Sequence, residues 1–441
     1  MKYIIRLLNI AIISAMANCF LYVRNTGNIL LLIILIFLSL GINIFPSFAS
    51  IKIPKFRLKV AYDGCELLIV FLTSVTISVI YHIVTAFEYI PHSWSDWLIS
   101  VIIAIAVEVP LFCNGIIRVY CTSVQLGIAK RVWGAILGWI PIANICMLIS
   151  IINTVSKEVR FETEKINLNK QRLHEQICQT KYPILLIHGV FFRDSKLLNY
   201  WGRIPAELEY NGARIFYGQH ESASSVADSA EQIYYRIKYI VNKTGCEKVN
   251  IIAHSKGGLD CRYAISVLGA SEYVASLTTI NTPHRGCIFV DNILNMTSEN
   301  VKNNLANTYN SSARTLGDTE PDFMAAVNDL TASACAELNR IAPDSPDVYY
   351  QSVGSKLVKA TNGQFPLNMS YPIVRHYSGA NDGLVDEPSF RWGSNYKFLT
   401  ASGKRGISHG DVIDLNRENL LGFDVREFYV QLVADLKNKG F

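Results

Sequence analysis

The stretch Lys248 to Gly258 reads Lys-Val-Asn-Ile-Ile-Ala-His-Ser-Lys-Gly-Gly, a short apolar run that breaks into a serine flanked by small residues. Few local structures accommodate such a run. It fits a buried strand, a tight turn that lifts Ser255 clear of the backbone, and a following helix. Ala253 and Gly257 have a steric part in that reading, because strand and helix approach too closely there for larger side chains. A serine hydroxyl is a poor nucleophile until geometry and a base activate it, and a strand–turn–helix supplies the geometry. Taken alone, small-x-Ser-x-Gly is a weak signal that arises by chance.

Other motifs accompany it in a meaningful order. Tyr182 to Val190 is a second buried-strand run with His188-Gly189 near its end. A glycine there lets the backbone turn sharply and aim an amide at the space above the serine. The oxyanion donors would then be the N–H groups of Val190 and Lys256. Downstream, Ser378 to Val385 follows a strand-like run and sets Asp382 on a glycine turn, with Asp386 close by as a competitor. An aspartate in Asn-Asp-Gly also commonly caps its own turn. Gly406 to Asp411 places His409 in a glycine-flanked loop whose glycines leave its ring free to swing over the serine. The order Ser255, Asp382, His409 is that of an α/β-hydrolase triad. Of the nine histidines, His82 and His92 lie in the apolar N-terminal part and His174 in a connector. His188, His220, His254 and His284 sit beside other motif or core residues, and His376 falls in a strand-like segment. His409 alone follows both other members in a loop.

These motifs, taken together, resemble the bacterial family I triacylglycerol lipases over residues 182–441. The likeness rests on Tyr182-Pro-Ile-Leu-Leu-Ile-His-Gly, Tyr200-Trp-Gly-Arg-Ile-Pro, Asn211-Gly-Ala-Arg and Glu247-Lys-Val-Asn leading into the elbow. It continues through Thr279-Ile-Asn-Thr-Pro-His-Arg-Gly, Asp329-Leu-Thr, Asn381-Asp-Gly-Leu-Val and His409-Gly-Asp. The resemblance implies the fold, a serine esterase mechanism and Asp382 as the triad acid; it says much less about substrate. The family usually has glycine where this chain has Ala253 and glutamine where it has Lys256, and neither change removes a mechanistic part. Many such lipases hold a structural calcium with an aspartate two residues after the histidine, a position that Asp411 occupies. The usual second aspartate has no clear counterpart here, and calcium takes about six or more oxygen ligands.

The chain has 441 residues and is 50% hydrophobic, and the excess is concentrated in residues 1–155. A membrane-spanning helix needs about 20 mostly apolar residues. Leu30–Ile44 with its flanks, Leu67–Phe87, Trp97–Val119 and Val132–Ile152 qualify. Ile4–Val23 is interrupted by Ser14 and Asn18 and reads as the first arm of a helical hairpin; no cleavage site marks it as a signal peptide. The reading is an all-α transmembrane bundle of four or five helices. Lysine and arginine placement, counted for five spans, puts the N-terminus in the cytoplasm and the C-terminal part outside. The basic residues from Lys157 to Arg172 run against that count. Glu108, in the fourth span, is a functional candidate by its position but reads better as a carboxyl that is hydrogen-bonded to another helix or protonated. The Gly134 and Gly138 pair is a candidate close helix contact. Ten cysteines lack paired or metal-like spacing and are expected as buried thiols.

Residues 156–181 are charged and free of glycine and proline, which suits an extended helical or mobile connector. Beyond it, strand-length apolar runs alternate with amphipathic stretches, as in a parallel sheet covered on both faces. Expected strands are Ile184–Ile187, Ala213–Phe216, Val249–Ile252, Ala275–Ile280, Val348–Val353 and Ile373–Ser378. Val290–Tyr309 and Asp322–Ile341 read as amphipathic helices inserted after the fourth strand, either as a lid or as plain cover. The expectation is therefore an α/β-hydrolase fold with a helical cap insertion, preceded by a membrane bundle. The function expected is a membrane-anchored ester hydrolase acting on lipid or other acyl esters without an obligatory cofactor. An acyltransferase using the same triad is an alternative, as is a membrane transporter or sensor with a hydrolase-like binding module. The net charge of +5 is modest and points to membrane topology, not to nucleic acid.

Overall fold

The computed structural model describes residues 2–140, 142–190, 199–403 and 405–441. The chain divides into two compact units, Met1–Lys170 and Gln171–Phe441.

The first unit is helical: α1 (Lys2–Asn18), α2 (Phe20–Thr26), α3 (Ile29–Ile44), α4 (Phe56–Thr122), α5 (Gly127–Leu137) and α6 (Ala143–Gln171), the last ending one residue beyond it. α3 is almost wholly apolar, and the Asn28 side chain caps it by accepting from the Leu31 N–H at 3.1 Å. α4 is two helices in one: backbone geometry leaves the helical region at Ser93, two residues after Pro91. Its halves fold back on each other. Ser74 Oγ donates to Glu108 Oε2 at 2.9 Å, the rings and hydroxyls of His82 and Ser100 meet at 3.2 Å, and Gly64 and Gly115 give the close approach opposite Val119 and Leu68. Glu108 thus bonds across the hairpin, as its sequence context suggested.

Among the described residues two helices, Ile29–Lys52 and Phe56–Thr122, are long and apolar enough to cross a membrane, or three if the bent pair of α1 and α2 counts as one span, and the second contains two of the sequence-expected spans. The expected span Ile4–Val23 falls on α1 and α2, which bend by 61° where they meet. Val132–Ile152 is not one helix: α5 stops at Leu137 and α6 starts at Ala143. The Gly138…Pro141 pair in the sequence removes both the preference and the hydrogen bond a continuous helix needs. Of the two glycines there, Gly134 makes the close contact, against Tyr120 and Ile151. α6 carries on through most of the charged stretch that begins at 156.

The second unit is built on six parallel strands in the order β2-β1-β3-β4-β5-β6. The elements run β1 (Ile184–Ile187), α7 (Ile204–Tyr210), β2 (Ile215–Tyr217), α8 (Val226–Thr244), β3 (Val249–His254), α9 (Lys256–Ser266) and β4 (Val274–Ile280). They continue with α10 (Ile288–Met296), α11 (Glu299–Leu316), α12 (Phe323–Asn328), α13 (Ala332–Ile341), β5 (Tyr349–Ser355), α14 (Leu367–Ser378), α15 (Glu387–Phe390), β6 (Asn395–Leu399) and α16 (Val425–Asn438). Alternation along each strand sends side chains to two separate cores. Ile184, Leu186, Ile252 and Ile280 pack with Trp201, Leu208, Tyr429 and Val433 from the α7 and α16 side. Leu185, Ile187, Ile251 and Leu277 pack with Ile233, Ile237, Cys261 and Ala264 of α8 and α9. Burial on both faces is why the central strands read as unbroken apolar runs.

Two local expectations are corrected. Ile373–Ser378 is not a strand but the end of α14, where Ser370, Tyr371 and Val374 are buried at helical spacing and the other positions are not. The sixth strand is instead Asn395–Leu399, an edge strand that begins half exposed. The insertion after β4 is helical as expected, with each long helix broken in two: α10 and α11 around Ser298, α12 and α13 around Thr331, whose hydroxyl caps α13. These helices bury Val290, Phe323, Leu330 and Leu338 in a third core.

Candidate active site

β3 ends at His254, α9 begins at Lys256, and Ser255 alone makes the turn with φ 55° and ψ −131°. Non-glycine residues rarely occupy that region, so the surrounding packing must hold it. The packing is close indeed. A Cβ on Gly257 would lie 2.4 Å from the His188 carbonyl oxygen, and one on Gly189 would lie 2.7 Å from the Ser255 Cβ. The second of these contacts brings the Gly189–Val190 segment over the serine. Lys256 is the first residue of α9, where a backbone N–H has no acceptor within its own helix. Residues 191–198, which follow Val190 in sequence, lie outside the described residues.

Three side chains distant in sequence meet at the C-terminal edge of the sheet. His409 Nε2 is 3.0 Å from Ser255 Oγ, and its Nδ1 is 2.6 Å from Asp382 Oδ2. The carboxylate next to Nδ1 fixes the proton there and leaves Nε2 to accept from the serine hydroxyl. Asp382 is fully buried and its oxygens are well supplied: the Leu384 and Val385 N–H groups each donate to Oδ1 at 2.9 Å, and Asn281 Nδ2 donates to Oδ2 at 2.6 Å. The His409 N–H also donates to the Asp382 carbonyl at 2.9 Å. Asp386, the competing acid, forms a backbone bridge with Asn381 and leads into α15; burial raises its pKa. The remaining histidines have other settings. His188 stacks on His220 with centroids 3.8 Å apart, His284 stacks on Trp392, and His376 lies in α14, not in a strand.

Lys256 brings more than an amide. Its side chain is buried, with Nζ 2.7 Å from Asp260 Oδ1, 3.0 Å from Ser229 Oγ and 3.3 Å from the Ser225 carbonyl. The ammonium thus ties the first turn of α9 to the first turn of α8. Burial pushes the Asp260 carboxyl up to about 7, while the neighbouring ammonium pulls it down.

The sequence motifs contain a second group of residues around the site without showing their roles. Tyr200 OH receives the Gly189 N–H at 3.0 Å and lies 2.6 Å from His254 Nδ1. The His254 ring packs 4.5 Å from that of His409 and is held neutral, its pKa far below the usual value, chiefly by burial and further by the charge His409 can carry. Asn281, which steadies Asp382, follows β4 directly with φ 47°, a conformation that asparagine tolerates better than most residues. Its position at the end of a strand was the available signal.

The residues at Asp411 do not fit a calcium ion. Asp411 Oδ2 accepts the Ser408 N–H at 2.9 Å and Oδ1 lies 3.2 Å from Arg405 Nη2, so a guanidinium already faces the carboxylate. Among the described residues no group of three His, Cys, Asp or Glu side chains could hold a metal.

No protein-family profile matches the chain. It is similar to curated triacylglycerol lipases. One from Pseudarthrobacter phenanthrenivorans is 33% identical over 178 residues, covering 38% of this chain and 55% of that protein. Another from Burkholderia plantarii is also 33% identical, covering 38% of this chain and 49% of that protein. The chain spans about half the length of these two relatives. Among solved structures, Staphylococcus hyicus lipase aligns with 18% identity and a TM-score of 0.45, covering 59% of this chain and 97% of that one.

Proposed function

We propose that residues 182–441 form a serine carboxylester hydrolase acting on lipid or other acyl esters, with Ser255 as nucleophile, His409 as general base and Asp382 as its orienting acid. The carrying observation is the His409 ring, 3.0 Å from the Ser255 hydroxyl on one nitrogen and 2.6 Å from the Asp382 carboxylate on the other. The curated relatives, named triacylglycerol lipases, support the ester class.

Ser255 Oγ attacks the ester carbonyl as its proton passes to His409 Nε2, and Asp382 stabilises the imidazolium that results. The amides of Val190 and Lys256 receive the charge on the carbonyl oxygen, a contribution of about 3–4 kcal/mol per donor. His409 then returns the proton to the departing alcohol. Water, deprotonated by the same nitrogen, releases the acid from the acyl-enzyme. The chain would be anchored through residues 1–155 as a multi-pass membrane region, with 156–181 as connector and the hydrolase on the extracytoplasmic side. The long apolar helices Ile29–Lys52 and Phe56–Thr122 support anchoring.

The test is labelling of the detergent-solubilised protein with a fluorophosphonate probe, together with hydrolysis of p-nitrophenyl esters of increasing chain length. Wild type should label, and Ser255→Ala should lose both labelling and hydrolysis. Activity confined to the shortest acyl chains would keep the esterase and remove the lipid substrate. A wild-type protein that the probe leaves untouched would remove the mechanism.

A further inference from the structure

We infer that the Arg405 guanidinium is the cation that fixes the loop carrying His409, with Asp411 as its anchor and not as a metal ligand. The inference rests on His409 being the general base.

His409 is the second residue of Ser408-His409-Gly410-Asp411, and this tetrapeptide is closed on itself. The Asp411 N–H donates to Ser408 Oγ at 3.1 Å, while the Ser408 N–H donates to Asp411 Oδ2 at 2.9 Å. This is the reciprocal bonding of a capping box, with the base inside it. The remaining Asp411 oxygen meets Arg405 Nη2 at 3.2 Å, and the same nitrogen lies 2.8 Å from Glu418 Oε2. Asp411 is 2% exposed and Arg405 32%. The pair is therefore less screened than an ordinary surface ion pair.

The backbone of Arg405 is itself secured. Its carbonyl accepts from the Val358 N–H at 3.1 Å and from Asn362 Nδ2 at 3.0 Å, and the Ile407 N–H donates to the Lys356 carbonyl at 2.7 Å. The guanidinium therefore connects a fixed stem beside β5 to the far side of the base loop. A second guanidinium holds the next turn: Arg203 meets both oxygens of buried Asp414, at 2.8 and 2.7 Å. A divalent cation at Asp411 would have to displace Arg405 against charge repulsion, with about five further oxygens still to find. Arg405 acts on the reaction only through the loop, which makes it a positioning residue. Shifting a catalytic group by about 1 Å can cost about 100-fold in rate.

The experiment uses the full-length protein in detergent, with kcat expressed per probe-labelled Ser255 so that unfolded molecules do not count. Wild-type kcat should be the same in EGTA and in millimolar calcium. Arg405→Ala should lose about 10- to 100-fold in kcat with KM within about twofold. Millimolar guanidinium should restore part of the loss, and Arg405→Lys should recover less than the wild-type value because a compact, strongly hydrated ammonium on a flexible stem does not reproduce the placement of the rigid planar guanidinium. Loss of wild-type activity in EGTA with recovery in calcium overturns the inference without reference to any variant. So does Arg405→Ala with wild-type kcat. A wild-type enzyme that the probe does not label removes the reading of Ser255 and His409 instead, so the two failures are told apart.

Discussion

Donors converge on both oxygens of Asp382, and Asn281 is the one that shares an oxygen with His409. Replacing Asn281 by leucine removes that donor within a buried site. The expected result is a kcat/KM lower by about 5- to 30-fold, equivalent to about 1–2 kcal/mol, measured on a p-nitrophenyl ester. His254 and His284 are both held neutral by burial, with pKa values far below 6.5. In the unfolded chain each takes up a proton below about pH 6.5 and in the folded chain it does not. Their neutrality therefore adds no penalty above that pH, and stability drains away as pH falls through it. Thermal unfolding should show Tm dropping between pH 7 and pH 5, and His284→Asn should flatten that drop. Ser255, Asp382 and His409 were legible as candidates that meet in space because each sits in a short glycine-punctuated motif whose local geometry is stereotyped. Asn281 and Tyr200 stood inside quoted motifs, yet their roles depend on contacts 101 and 54 residues away, which spacing does not encode.

At the scale of elements, the elbow works because α9 can lie against β1. Gly257 is the point of contact, and its missing Cβ faces first the His188 carbonyl of the main chain, with the Ile187 side chain beside it. Gly257→Ala should destabilise the fold by about 1–3 kcal/mol in urea unfolding and lower activity with it. The tie between α8 and α9 through Lys256 and Asp260 has a different signature. Lys256→Met leaves a buried carboxylate without its partner and should cost about 3–5 kcal/mol, and adding Asp260→Leu should return much of that. The central strands were readable because burial on both faces leaves unbroken aliphatic runs. β6 was not, because an edge strand with Asn395 and Lys397 on its exposed side carries only half of that signal. α14 was misread because the few residues Ile373 to Ser378, taken without Ser370 and Tyr371, do not reveal their period.

For the molecule as a whole, composition alone set an apolar N-terminal part, residues 1–155, apart from the rest, and the structure divides into units at Lys170. Hydropathy marks where apolar helices lie but does not see breaks, so the Val132–Ile152 run looked like a span despite the interruption between α5 and α6. If the apolar helices do lie in a bilayer, the protein should stay in the membrane pellet after alkaline carbonate extraction and leave it in detergent. Recovery in the carbonate supernatant would refute membrane anchoring.

All ten cysteines are free, and they are unevenly displayed: Cys113, Cys121 and Cys146 are exposed, whereas Cys19, Cys65, Cys178, Cys261, Cys287 and Cys335 are buried and Cys246 is partly covered. The unmodified chain therefore carries its own reporters. A maleimide applied to folded protein will read out the surroundings of three helical positions in the first unit, with Cys246 the one competitor to remove, and will leave the neighbourhood of Ser255 chemically silent.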